Sequence, residues 1–325
     1  MNCAGGRNRE ERRKRSINMF YSPDSSWTER CENAKSAIIQ RFGGDGITED
    51  GFGFVALRET GRGCAPVGYA HNGDWHCYPC SLVKAFHLVH VLKVLEDETA
   101  NAPVDLDDAI RDMIMWSSNT ATNYVIDFVT GTTGDTYLAP DDYARWQNRR
   151  EGVNRFFEDL EWPEWHGCNL NQKLNGDIRY GREAQLAGPD GSYLNSLTPH
   201  ACARLFHELF CGALPLSDTS RARAQATLKR DRNGPDAGLP AYQLAEYLGA
   251  GMPREAEVWS KGGFTPWTGD PRTSFYRHDL MRVVMPDAAP VVLAIMTRGE
   301  QISDNGPRVF PLIGALLADM LLDAR

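Results

Sequence analysis

A chain of 325 residues with 42% hydrophobic, 24% charged and 10% aromatic residues can bury a sizeable core and has the make-up of an ordinary globular protein. Lys and Arg total 35 against 43 Asp and Glu, and the resulting formal charge of −8 argues against nucleic acid as the main partner. No stretch reaches the roughly 18 apolar residues that a membrane helix needs, so no membrane span is expected.

Residues 1–25 read as a disordered tail, in which the basic run RNREERRKR is broken by two glutamates and reads as a solvated end. No apolar h-region follows those charges, which predicts a cytoplasmic protein rather than a secreted one. The eight cysteines, Cys3, Cys31, Cys64, Cys77, Cys80, Cys168, Cys202 and Cys211, are too sparse for a disulfide scaffold and are expected to be reduced. Cys202 and Cys211 fall in an apolar helical pattern and are assigned to the core.

The first helix is predicted from Ser26 through ENAKSAIIQRF, ended by Gly43 and Gly44. FGFVALRET and GCAPVGYAHN read as two strands of a hairpin whose turn contains Gly61 and Gly63. SLVKAFHLVHVLKVLED is apolar around its circumference, as befits a helix buried in the middle of a domain. Two more helices follow, VDLDDAIRDMIMWSSN and TATNYVIDFVTG, the latter closing on Gly131.

The stretch from Thr132 to Leu197 is poorly periodic, with one helix expected over YARWQNRREGVNRFFEDL. Its Trp and Asn content suggests an ordered insert that shapes a pocket. Thr198 and Pro199 start the helix TPHACARLFHELFCG as cap and first residue, and SRARAQATLKR is the next helix. The chain then returns to strands: EVWSKGGF, TSFYRHDLMRVVM with a break expected near Asp279, and APVVLAIMTRG. The last helix is GPRVFPLIGALLADMLLDA.

These elements predict an α/β (α+β) fold. Residues 26–72 and 214–325 would form an antiparallel sheet domain built from both chain ends and flanked by helices. Residues 73–213 would form an inserted helical domain, with a cleft between the two.

Three short motifs fall where that cleft would be. Ser81 and Lys84 are three apart on one helical turn and therefore face the same way. A lysine amine beside a serine hydroxyl at a helix start can produce a nucleophile next to backbone N–H groups. Ser117 and Asn119 place a hydroxyl and a carboxamide on one side of a turn between two helices. Lys261, Gly262 and Gly263 lie on an expected edge strand, where glycines let a substrate backbone approach.

The order, spacing and flanks of these motifs resemble the class A β-lactamase and penicillin-binding-protein superfamily of active-site serine hydrolases, with signatures S-x-x-K, S-D-N and K-T-G. MIMWSSNTATNYVIDFVTG resembles its SDN segment and SLTPHACARLF its T-P-started helix. The resemblance spans roughly residues 30–320. It implies Ser81 as nucleophile, Lys84 as the activating amine, Ser117 as proton carrier to the leaving group and Lys261 as holder of that proton network. It further implies that Asn119 binds the substrate amide and that the N–H groups of Ser81 and Phe264 form the oxyanion hole, with Gly262, Gly263 and Thr265 beside the substrate. No cofactor or metal is implied. A small-molecule amide, ester or lactam is the expected partner, and a monomer or weak homodimer the expected state.

Three departures qualify the resemblance. Ser118 replaces the usual Asp, and Gly262 replaces the usual Thr or Ser, removing a hydroxyl that would contact a substrate carboxylate. Asn171, in NQKLN ending at Asn175, stands where class A lactamases carry the water-activating glutamate of E-x-x-L-N. A neutral carboxamide cannot take the water's proton. The expectation is a serine acyl enzyme that is not an efficient β-lactamase. The alternatives are a true class A-like lactamase using Glu161 or Glu164, and a non-catalytic or penicillin-binding sensor. Outside the family, Cys77 and Cys80 could form a redox pair, or join His76, His87 or His90 around zinc, but neither pattern has the flanking elements it needs.

Overall fold

The apolar runs FGFVALR and VVLAIMTR, from opposite ends of the chain, pair side by side at the heart of one sheet. The structure is a computed structural model, and it describes residues 19–97, 102–134, 136–174 and 179–322. The basic cluster at residues 7–15, Cys3 and Asn175 lie outside the described residues, as does most of the expected tail. The strands are β1 (Phe52–Arg58), β2 (Val67–His71), β3 (Glu257–Thr265), β4 (Tyr276–Val284) and β5 (Val291–Arg298). They run in the order β2-β1-β5-β4-β3, every neighbour antiparallel, so that β3 is an edge as the sequence predicted.

Successive residues of β1 divide between two cores, as a strand buried on both faces must. Phe52, Phe54 and Ala56 pack with helix α1 (Ser25–Phe42) and helix α10 (Glu300–Leu321), in a cluster that includes Trp27, Ile38, Phe310 and Leu317. Val55 and Leu57 face the other way, into a cluster that includes Leu88, Phe206, Leu280 and Ala294. That second core continues into helices α2 (Val83–Asp97), α3 (Val104–Met115), α4 (Asn119–Thr130), α6 (Gly152–Glu158), α8 (Pro199–Phe210) and α9 (Asp218–Leu228), while α5 (Pro140–Arg150) and α7 (Gly181–Ala187) lie outside it. In α2 every residue from Val83 to Leu92 is buried, which is why the sequence there shows no polar face. No helix among the described residues is long and apolar enough to cross a membrane.

The structure corrects several expected boundaries. Strand β4 runs unbroken through Asp279, because Leu248 N–H donates to Asp279 Oδ2 at 2.9 Å and supplies the buried carboxyl with a partner. The helix expected over residues 143–160 divides at Glu151 and Gly152 into α5 and α6. Helix α10 begins at Glu300 rather than Gly306, and α1 is capped by Asp24, whose carboxylate accepts from Trp27 N–H at 2.8 Å. Thr198 caps α8 as expected, its hydroxyl accepting from Ala201 N–H at 3.0 Å.

Two buried arginines fasten the parts that flank the cleft. Arg230 Nη2 donates to Ser260 O at 2.8 Å and to Ile114 O at 3.3 Å, tying β3 to the end of α3 just before the Ser-Ser-Asn turn. Arg150 joins α4 to the insert, with its guanidinium 2.7 Å from Glu183 and 3.4 Å from Asp127.

Candidate active site

Ser81 sits in a single 3-10 turn, Cys80–Leu82, that leads straight into α2, so it precedes the α-helix rather than starting it. The turn still sets Ser81 and Lys84 on one side, because side chains three apart eclipse in 3-10 geometry. Cys80, immediately before the serine, has φ +51°, a left-handed conformation that costs a non-glycine residue energy. Strand β3 holds the turn from the side: a Cβ on Gly263 would lie 3.0 Å from both Ser81 N and Cys80 Cβ. Only glycine lets the strand come this close to the backbone of the serine.

Lys84 is fully buried. Its Nζ donates to Asn119 Oδ1 at 2.9 Å, to Ser117 Oγ at 3.1 Å and to Ser117 O. Burial pulls its pKa down from 10.5 to about 7, because the charged form loses its water and no carboxylate replaces it. Lys261 is equally buried, and its Nζ donates to Ser117 Oγ at 3.0 Å, to Gly262 O at 2.8 Å and to Gln243 Oε1. Desolvation, and then the charge of Lys84, push its pKa well below the usual lysine value.

Ser117 Oγ therefore accepts from two lysines. With both lone pairs engaged, its own proton is the one left to point elsewhere. Ser117 is held in this posture by φ +53°, again left-handed. Ser118 explains why Ser for Asp is tolerated in this motif: its hydroxyl caps α4, accepting from Ala121 N–H at 3.1 Å, a role both residues perform well.

Ser81, Ser117, Asn119 and Phe264 line one cavity of about 700 Å³, together with Gln243, Tyr247 and Arg277. Gln243, Tyr247 and Arg277 escaped the sequence reading. Gln243 lies at φ +55° after a short 3-10 turn, and Arg277 reaches the cavity only because it stands opposite Phe264 in the β3–β4 register. The Arg277 guanidinium lies 4.6 Å over the Phe264 ring.

The other expected residues are placed differently. Gly262 turns its missing side chain toward Tyr247, and the Thr265 hydroxyl and Cys80 Sγ share a hydrogen bond at 3.5 Å. Asn171 is wholly buried outside the lining of the cavity, its Nδ2 donating to Tyr193 Oη at 2.8 Å. Glu161 is exposed on a turn, and Glu164 pairs with Arg204 of α8 at 3.3 Å, so neither lines the cavity. Burial pushes the Cys77 thiol well above its usual pKa and that of Cys80 up to about 12, the reverse of what a redox pair needs. His87 and His90 are buried along α2, and among the described residues no group of three His, Cys, Asp or Glu could hold a metal ion.

An antiparallel five-stranded sheet carrying a helical insert, with a Ser-x-x-Lys turn at the junction, defines a β-lactamase-like α/β protein. A sequence model of the Beta-lactamase enzyme family matches residues 83–321, and the chain belongs to that family of serine hydrolases. Solved structures agree in fold. A double mutant of the class A β-lactamase of the last common ancestor of Gram-negative bacteria, bound to 5(6)-nitrobenzotriazole, superposes with TM-score 0.60 at 18% identity, over 88% of this chain and 98% of that one. The class A β-lactamase from Mycobacterium abscessus gives TM-score 0.58 at 18% identity, over 88% and 98%. A β-lactamase from Xanthomonas campestris pv. campestris gives 0.59 at 17%, over 90% and 98%. No curated protein matches the chain in sequence.

Proposed function

We propose that the protein is a serine acyl enzyme that opens an amide, ester or lactam through Ser81 and is not an efficient β-lactamase. The observation that carries this reading is the bridge at Ser117 Oγ, 3.1 Å from one desolvated lysine and 3.0 Å from another. A lysine with a pKa of about 7 is a base at neutral pH. Lys84 takes the Ser81 proton as Oγ attacks the substrate carbonyl. The N–H groups of Ser81 and Phe264 stabilise the oxyanion, and Ser117 passes its proton to the leaving nitrogen or oxygen. Lys84 then returns its proton to Ser117, which leaves the acyl group on Ser81 and both donors reset.

The deacylation half lacks the lactamase carboxylate. Asn171 is neutral and engaged with Tyr193, and neither Glu161 nor Glu164 is among the residues lining the cavity. The acyl group leaves slowly to water or passes to an amine. Asn171 also favours a second reading, a sensor that stays acylated.

The test is labelling of wild type and Ser81→Ala with a fluorophosphonate and a fluorescent penicillin, followed by intact mass over time. Adducts on wild type alone are expected. Equal labelling of both proteins removes Ser81 from the mechanism. Turnover of a chromogenic cephalosporin at lactamase rates would overturn the second half of the proposal.

A further inference from the structure

A second cavity, of about 410 Å³, shares no lining residue with the catalytic one. Its walls carry four cations, Lys229, Arg230, Arg232 and Arg254, against the two carboxylates of Asp231 and Glu257. That excess of two positive charges is opposite in sign to the chain's formal charge of −8. The cations differ in what they already hold. Arg232 is fully engaged: its Nη atoms donate to the carbonyls of Met252 at 2.6 Å, Ala256 at 3.2 Å, Arg254 at 3.4 Å and Pro253, which fixes residues 252–256 as one wall. Lys229 pairs with Glu257.

Arg230 is only 3% exposed, and among the described residues no carboxylate pairs with it. Its Nε donates to Ser260 Oγ at 3.3 Å and its Nη2 to the carbonyls of Ser260 and Ile114, whereas Nη1 makes no hydrogen bond among the described residues. Nη1 is not cut off from solvent-accessible space, and the cavity that Arg230 lines is where it opens. Tyr242, buried beside it with the guanidinium 5.1 Å over its ring, accepts from Asp231 N–H at 2.8 Å through Oη and donates to no described residue. Arg254 stands exposed at the rim, its guanidinium without an ion pair or hydrogen bond among the described residues. Taking a guanidinium out of water costs free energy unless an anion or enough acceptors replace the water. Here carbonyls and a hydroxyl serve Nε and Nη2 but bring no charge. Desolvation lowers the Arg230 pKa only to about 10, so at neutral pH it remains a buried cation.

We propose that this second cavity binds a phosphate monoester with a small apolar body. Arg230 Nη1 and the Tyr242 hydroxyl hold the phosphate from within, Arg254 reaches it from the rim, and the apolar body rests against Met115 and Ala256. A phosphate monoester carries about −1.5 to −2 charges at neutral pH, which matches the excess on the walls, and offers three oxygens to the three donor groups. A cavity of about 410 Å³ is larger than inorganic phosphate fills, which is why the ligand carries a body as well as a charge. The proposal is independent of the proposed function, since it needs no chemistry at Ser81.

The test is calorimetric titration of the full chain with phenyl phosphate, inorganic phosphate and phenol, at about 0.15 M salt so that distant charges are screened. Phenyl phosphate is expected to bind wild type about tenfold or more tightly than either inorganic phosphate or phenol, because only it has both the charge and the apolar body. Arg230 also ties β3 to α3, so the variant is made at Arg254, whose exposed side chain supports no buried bond. Arg254→Glu should weaken phenyl phosphate about tenfold or more. Wild type that does not bind phenyl phosphate overturns the proposal. So does binding no tighter than that of phenol or inorganic phosphate. An Arg254→Glu variant that binds as wild type does would place the ligand elsewhere and overturn it too.

Discussion

Lys84 and Lys261 meet at a single oxygen: their Nζ atoms lie 3.1 and 3.0 Å from Ser117 Oγ, and among the described residues no carboxylate is a hydrogen-bond partner of either. Two buried ammonium groups sharing a neutral hydroxyl repel one another, and the structure relieves the repulsion by favouring loss of a proton. The energetic burden of the site is thus what makes it basic.

The first consequence is a pH profile. Lys84 acts as base only when neutral, and its pKa lies at about 7. Acylation of Ser81 by a fluorophosphonate should fall about tenfold per pH unit below that point and level off above it. A profile that stays flat from pH 5 to 9, on the order of the range where Lys84 changes charge, would remove Lys84 as the base.

The same burial makes the lysine a stability liability. Unfolded, Lys84 titrates near 10.5, and folded near 7, so between those values the unfolded chain binds more protons. The penalty is complete below pH 7 and fades as pH rises toward 10.5. Lys84→Met should therefore abolish acylation while stabilising the protein at pH 6 by about 1–3 kcal/mol, with the gap narrowing at pH 9. Thermal melts at the two pH values measure it, and a mutant that melts below wild type at pH 6 contradicts the account.

Gly263 isolates the contribution of backbone approach. A methyl there would press on Ser81 N and Cys80 Cβ, each 3.0 Å away, and push β3 from the Ser81 turn, where the proposed oxyanion donors are the Ser81 and Phe264 N–H groups. Gly263→Ala is expected to slow acylation by roughly 100-fold through a displaced oxyanion site, with the cooperative melt retained. An unchanged acylation rate would mean that the edge strand does not set that geometry.

What was legible in the sequence was whatever depends on neighbours along the chain. Ser81 and Lys84 are separated by one turn, so spacing alone brings that pair to one side, and Ser117 and Asn119 share one short turn, where both accept from Lys84 Nζ. Buried strands such as VVLAIMTR declare themselves by unbroken apolar runs, and sheet assembly from both chain ends followed from where those runs lie. Tyr247, Gln243 and Arg277 were illegible for the opposite reason. Arg277 becomes a cavity residue through its pairing with Phe264, and Gln243 through a left-handed backbone that no motif announces. Asp279 misled because a carboxylate in a strand normally marks its end, whereas here Leu248 N–H donates to its Oδ2 from another segment.

A carboxylate restored at position 171 tests whether that residue matters for deacylation. Asn171 is buried, its Nδ2 is bonded to Tyr193 and its Oδ1 has no partner, so Asn171→Glu would bury a charge without adding a base to the cavity lining. Cephalosporin turnover should change less than about twofold while stability drops by about 1–3 kcal/mol. A gain of 100-fold or so in turnover would show that residue 171 reaches the acyl carbonyl's water after all.

Arg150 carries the prediction for the insert. Its guanidinium is wholly buried, donates to Glu183 at 2.7 Å, to Thr132 Oγ1 at 3.1 Å and to Asn171 O at 3.3 Å, and lies 4.6 Å over the Trp146 ring. Glu183 is itself buried, and it also accepts from Lys173 N–H at 3.3 Å. Removing the arginine strands that carboxylate without a cation, and breaking a buried pair in this way costs about 3–5 kcal/mol. Arg150→Ala should lower the unfolding free energy by that order in denaturant titration. Pairing it with Glu183→Gln should recover part of the loss, because the orphaned charge is then gone. A single mutant within about 0.5 kcal/mol of wild type would place Arg150 among residues that stabilise nothing.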